Sequence, residues 1–151
     1  MKISAFSKIL FLCFITFIGA GCNFNATYKN READKQDAEK ITSKLYSYID
    51  SGKYNQTHEL FSEKFLAVTD TAKLNQIFTT TYEKLGKIKD RKLQRWETVV
   101  VKGTTPISEY LLIYDVSREK YKSIETIRML KEKDIIKIIS YNVNSDGFFV
   151  K

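Results

Sequence analysis

The apolar period of this chain changes at Gly86. Before it, apolar residues recur every three or four positions. After it, they recur every second position. A period near 3.6 belongs to helices and a period of 2 to strands, so helices should precede a sheet.

The helical half divides into three. Ala38, Ile41, Leu45 and Tyr48-Ile49 share one face, with Lys35, Glu39, Lys40 and Lys44 opposite. Gly52 follows as a left-handed cap. Tyr54, Thr57-His58 and Leu60-Phe61 mark a shorter second helix, with Ser62-Glu63 placed to restart a turn. Thr69 or Asp70 opens a third, whose stripe is Leu74, Ile77-Phe78, Thr81-Tyr82 and Leu85.

The other half reads as four strands, at 91–102, 108–117, 121–131 and 135–143. The turn Gly103-Thr104-Thr105-Pro106 separates the first two. Arg118-Glu119-Lys120 and Glu132-Lys133-Asp134 separate the rest. Connections this short pair strands antiparallel, because a parallel pair needs a long crossover. The expectation is an α+β domain with three N-terminal helices packed on one face of a curved four-stranded antiparallel sheet.

A different signal opens the chain. Lys2 and Lys8 precede the apolar run Ile9–Ile18, followed by Gly19-Ala20-Gly21 and then Cys22. That run is short for a membrane span, which takes roughly 20 residues. Small residues before a cysteine suit a signal peptidase. The segment resembles the lipobox of bacterial lipoproteins, with Gly19 where that family commonly has leucine. The resemblance implies a signal peptide over 1–21 and lipid on Cys22. A bilayer is then the first partner, within the cell envelope. Asn23, which is not aspartate, implies the outer membrane if the cell has two. A secretory signal cut nearby and an uncleaved anchor stay open as alternatives. The stretch 22–33 is polar and reads as a flexible tether. The domain then runs from 34 to 151.

Cysteine usage agrees with export. Cys13 lies in the leader and Cys22 at the cut, so the mature domain has no thiol to pair. Loss of Lys2 and Lys8 lowers the net charge from +7 to +5. The densest basic run is Lys84 to Arg95. Its bland reading is a solvated face, and anionic headgroups or acidic envelope polymers are the alternative. No nucleic-acid partner is expected for an exported lipoprotein.

The order of elements resembles the nuclear-transport-factor-two-like, or cystatin-like, α+β cone. Three segments carry the likeness: Ser51-Gly52-Lys53-Tyr54 with Glu59-Leu60-Phe61-Ser62, then 85–93, then 133–143. The resemblance implies a curved sheet cupping a pocket against the helices. It implies no activity, since that fold carries enzymes, binders and accessory domains.

Catalytic motifs are absent from the sequence. His58 is the single histidine, so no multi-histidine metal site can form. No phosphate-binding glycine loop and no serine elbow occurs. Neither a cofactor nor a metal is expected. Glu125 shares an alternating face with Ile127 and Met129. Turned inward, it would sit in an apolar cup; at an edge, it would pair across strands. Arg128, Arg95, Glu97 and Glu109 are its candidate partners. Tyr82, Trp96, Tyr110, Tyr114 and Tyr141 line a pocket or form plain core.

Two functions stay open at this level. One is a non-enzymatic binding or interaction domain for a small apolar ligand or an envelope protein. The other is a pocket enzyme using Glu125 or His58 as acid/base. Association into a homodimer through the sheet is a further expectation.

Overall fold

The computed structural model describes residues 26–132 and 134–150. The leader 1–21 and Cys22 lie outside the described residues.

The fold is α+β, with the helices on one face of an antiparallel sheet. Helix α1 (Glu32–Asp50) buries Asp34, Ala38, Thr42, Leu45 and Tyr46 along one face. It starts two residues before the expected Asp34. Arg31 explains this, because its guanidinium forks onto the Asp34 carboxylate at 2.6 and 2.8 Å. Glu32 and Asp34 also place negative charge at the positive end of the helix. At the other end Gly52 has φ +67°, as the expected cap requires.

The expected second helix is broken in two. Helix α2 (Tyr54–Thr57) runs into a 3-10 turn at His58–Leu60, and α3 (Glu63–Val68) starts afresh. Phe61 is extended and bridges to Ile138. The Ser62 backbone N–H donates to the Ile138 carbonyl at 2.9 Å. The Ser62 hydroxyl then accepts from the Phe65 backbone N–H and caps the new helix. Helix α4 (Thr71–Leu85) is capped by Asp70 and buries Leu74, Phe78, Thr81 and Leu85. Among the described residues, four α-helices therefore stand where three were expected.

The sheet has five strands rather than four. Strand β1 (Ala26–Lys29) lies inside the stretch expected as a tether. The others are β2 (Ile88–Lys102), β3 (Ile107–Arg118), β4 (Ser123–Glu132) and β5 (Ile135–Asn144). They follow in chain order across the sheet, each antiparallel to its neighbours. Ala26 lies opposite Lys102 and Lys29 opposite Val99. The guanidinium of Arg31 sits 4.2 Å from the Tyr28 ring centre and the Lys102 ammonium 5.7 Å from it. Those cations clamp a four-residue strand that is too short to announce itself by alternation.

Every second residue of β3 faces the helices: Tyr110, Leu112, Tyr114, Val116 and finally Arg118. Opposite them on β4 stand Met129, Ile127, Glu125 and Ser123, all buried. With Leu45, Tyr46, Leu74 and Phe78 from α1 and α4, these side chains make one core. Fully burying a side chain such as Leu112 or Ile127 contributes roughly 1.5–3 kcal/mol. Arg118 is the one charge in the inward row of β3, and Glu125 is its counterpart on β4.

Candidate ligand cavity and its buried ion pair

A cavity of about 540 Å³ opens where β2 begins and β3 ends. This volume is typical of small-ligand sites. The end of α1 supplies Ile49 and Asp50, and α4 supplies Phe78, Thr81 and Tyr82. The sheet supplies Ile88, Arg118 and Tyr141, while Lys87 precedes β2 and Tyr54 opens α2. Phe78 stands at its centre, 5.5 Å from the Tyr54 ring and 5.6 Å from the Tyr141 ring. The rings are tilted to one another by 35° and 48°, so together they form a faceted aromatic wall.

Behind the wall lies a buried ion pair. Arg118 Nη2 donates to Glu125 Oε1 at 2.6 Å, with the two side chains 2% and 0% exposed. Glu125 is held from three more sides. The Ser123 hydroxyl donates to Oε1 at 3.1 Å. The Tyr141 hydroxyl donates to Oε2 at 2.7 Å and the Tyr46 hydroxyl at 3.1 Å. Each carboxylate oxygen thus accepts twice, which fills its lone-pair sites. Arg118 is fixed in turn by the Gly86 carbonyl, which accepts from Nη1 at 3.3 Å, and by Ser123 Oγ, 3.4 Å from Nε.

Such an arrangement holds charge and orients a guanidinium. It leaves no free lone pair on Glu125 to take a proton from a substrate, and Glu125 does not line the cavity. Nor does His58, whose Nε2 lies 2.9 Å from Asn75 Oδ1. The two candidate acid/base residues do not converge.

The six expected pocket residues separate. Tyr82 and Tyr141 line the cavity, and Glu125 stands one bond behind it. Tyr114 is core, stacked edge-on against Tyr46 at 5.4 Å and within 2.7 Å of the Thr42 hydroxyl. Tyr110 is core near the opposite end of β3. Trp96 packs beneath α1, where the Lys35 ammonium lies 5.6 Å from its ring.

The expected partners of Glu125 were also misplaced. Arg128 points from the other face of β4 and is exposed. Arg95 pairs with Glu97, and both are exposed side chains. The true partner, Arg118, lies in a segment expected to be a turn. One more step along the alternation Tyr110, Leu112, Tyr114, Val116 reaches it.

Burial, above all, pushes the Tyr46 and Tyr141 hydroxyls well above the ordinary tyrosine value of about 10, and the Glu125 charge adds to it. The sign of the effect on stability follows. Below about pH 10 both rings are protonated in either state. Above it the unfolded chain ionises first, so the folded state loses about 1.4 kcal/mol per pH unit for each ring. Urea unfolding between about pH 8 and pH 11 should show that decline, and Tyr46→Phe or Tyr141→Phe should make it shallower.

At the cavity mouth burial raises the Asp50 carboxyl, while Arg91 and Arg118 pull it back down. Arg91 Nη1 lies 3.5 Å from Asp50 Oδ2. Among the described residues, no group of three or more His, Cys, Asp or Glu side chains could hold a metal ion. No helix there is long and apolar enough to cross a membrane. Comparison with protein-family models, with curated proteins and with solved structures finds no match for this chain.

Proposed function

We propose that this protein is a lipid-anchored lipoprotein of the cell envelope whose folded domain binds a small ligand without transforming it. The leader argues for the anchor: a basic start, a short apolar run, Gly19-Ala20-Gly21 and then Cys22. The observation that carries binding over catalysis is the state of Glu125. The best-placed acid/base candidate is spent on four hydrogen bonds inside the core. What it leaves in the cavity is a fixed guanidinium beside aromatic walls. A few placed polar groups among apolar ones are the usual composition of a binding site. Helices leading into a sheet that cups a cavity also fit the cystatin-like cone.

The anchor is tested by Cys22→Ser in the native cell envelope. Acyl chains contribute about 0.8 kcal/mol per buried CH₂, and a pair of chains holds a protein stably. The wild type should incorporate labelled palmitate and sediment with membranes, and the serine variant should do neither. Equal sedimentation of both forms would remove the anchor. Binding is tested by screening small aromatic ligands against the purified full chain by saturation-transfer NMR, with Phe78→Trp, which fills the cavity, as the control. Signals that survive that substitution would place the ligand elsewhere.

A further inference from the structure

We infer that the cavity selects a monoanion, a carboxylate carried on a small aromatic body. This rests on the reading of the cavity as a binding site. Arg118 has five N–H groups. Three have acceptors among the described residues: Glu125 Oε1, Ser123 Oγ and the Gly86 carbonyl. Two remain, one on each Nη nitrogen, in a side chain that lines the cavity and is 2% exposed. A buried donor without an acceptor costs about 1–3 kcal/mol, so a ligand acceptor that meets it is favoured. A planar carboxylate can bridge two such donors.

The charges around the cavity point the same way. Its charged lining groups are Arg118, Lys87 and Asp50. Glu125 offsets Arg118 from behind. Asp50 is offset by Arg91. The Lys87 ammonium has no acidic partner among the described residues, since Glu119 accepts from the Lys87 backbone N–H instead. One positive charge is therefore in excess, which matches one negative charge on a ligand. A cation would meet Lys87 and Arg118 together. A dianion would have to overcome Asp50 and Glu125.

The aromatic residues define the rest of the ligand. Tyr54, Phe78 and Tyr141 form a continuous ring surface next to Arg118. An aromatic ring attached to the carboxylate would pack against these tilted rings and remove them from water.

The test uses three probes of similar size and different charge: benzoate, benzamide and benzylamine. Each is titrated into the full chain in lipid nanodiscs and followed by calorimetry and saturation-transfer NMR. Benzoate should bind about tenfold more tightly than benzamide, and benzylamine more weakly than either. Lys87→Glu lies on an exposed side chain and should leave the fold intact. It should weaken benzoate about tenfold and spare benzamide. Equal binding of benzoate and benzamide would overturn the charge selectivity while leaving the cavity as a binding site. A preference for benzylamine would overturn it too. Failure of all three probes to bind would remove the binding reading along with it.

Discussion

Replacing Glu125 with alanine should lower the stability of the domain by roughly 3–5 kcal/mol, the usual result of leaving one half of a buried ion pair behind. The guanidinium of Arg118 would stay in the core without a counter-charge, 2% exposed. The hydroxyls of Tyr46 and Tyr141 would lose their acceptor as well. Arg118→Met should cost a similar amount for the opposite reason. The informative protein is the double variant Arg118→Met with Glu125→Leu. Swapping a buried pair for apolar residues of similar size is often neutral or stabilising. Here three hydroxyls, of Tyr46, Ser123 and Tyr141, would still lack their partner. The double variant should therefore recover most of the loss, but not all of it. Urea unfolding of the wild type, Arg118→Met, Glu125→Leu and the double variant gives a coupling energy of several kcal/mol if the pair acts as a unit. Additive losses would mean that the two charges are held independently. If the double variant folds, it should also prefer benzoate over benzamide less strongly, because the guanidinium donors have gone while Lys87 and the aromatic wall remain.

The second large effect belongs to Gly86. It ends α4 with φ +81° and ψ −175°, a region that only glycine occupies readily. A Cβ there would stand 2.8 Å from the Cβ of Glu119. Gly86→Ala therefore combines backbone strain of about 1–3 kcal/mol with overpacking of about 1–3 kcal/mol. A loss of roughly 2–6 kcal/mol is expected. Gly52 supplies the internal control. Its φ is +67°, but nothing lies within 4 Å of where its Cβ would be. Gly52→Ala should cost only the backbone term, roughly 1–2 kcal/mol. Equal losses at both sites would show that the approach of Glu119 does not matter. Because the Gly86 carbonyl also accepts from Arg118, the alanine variant should disturb benzoate binding at concentrations where it remains folded.

Much of this architecture is legible in the residues. The change of period at Gly86 marks the boundary between helices and sheet. The turns, four of the strands and the apolar stripes of α1 and α4 follow from spacing and breakers. Other features depend on contacts that spacing does not encode. Strand β1 is four residues long and owes its place to cations over Tyr28 and to the free edge of β2. The break at Phe61-Ser62 owes its place to Ile138, more than seventy positions along the chain. At the site, the inward direction of Glu125 is readable from its neighbours Ile127 and Met129. Its partner is not, because Arg118 looks like the first residue of a polar turn until the pairing of β3 with β4 is known. The tyrosines illustrate the same limit. Tyr114 and Tyr141 both alternate inward, yet only position along the strands decides which meets the cavity and which is sealed in the core.

The pairing of β1 with β2 would bring a lipid on Cys22 close to one end of the sheet. Ala26 is already paired into the sheet, and it stands four positions after Cys22 in the sequence. Fully stretched, that many residues reach about 14 Å. Ala26 sits beside Lys102, at the far end of a fifteen-residue strand from the cavity, and such a strand is roughly 50 Å long. An acylated Cys22 would moor the domain by its hairpin tips and leave the cavity mouth pointing outward. A ligand could then arrive from the aqueous side without passing the headgroups.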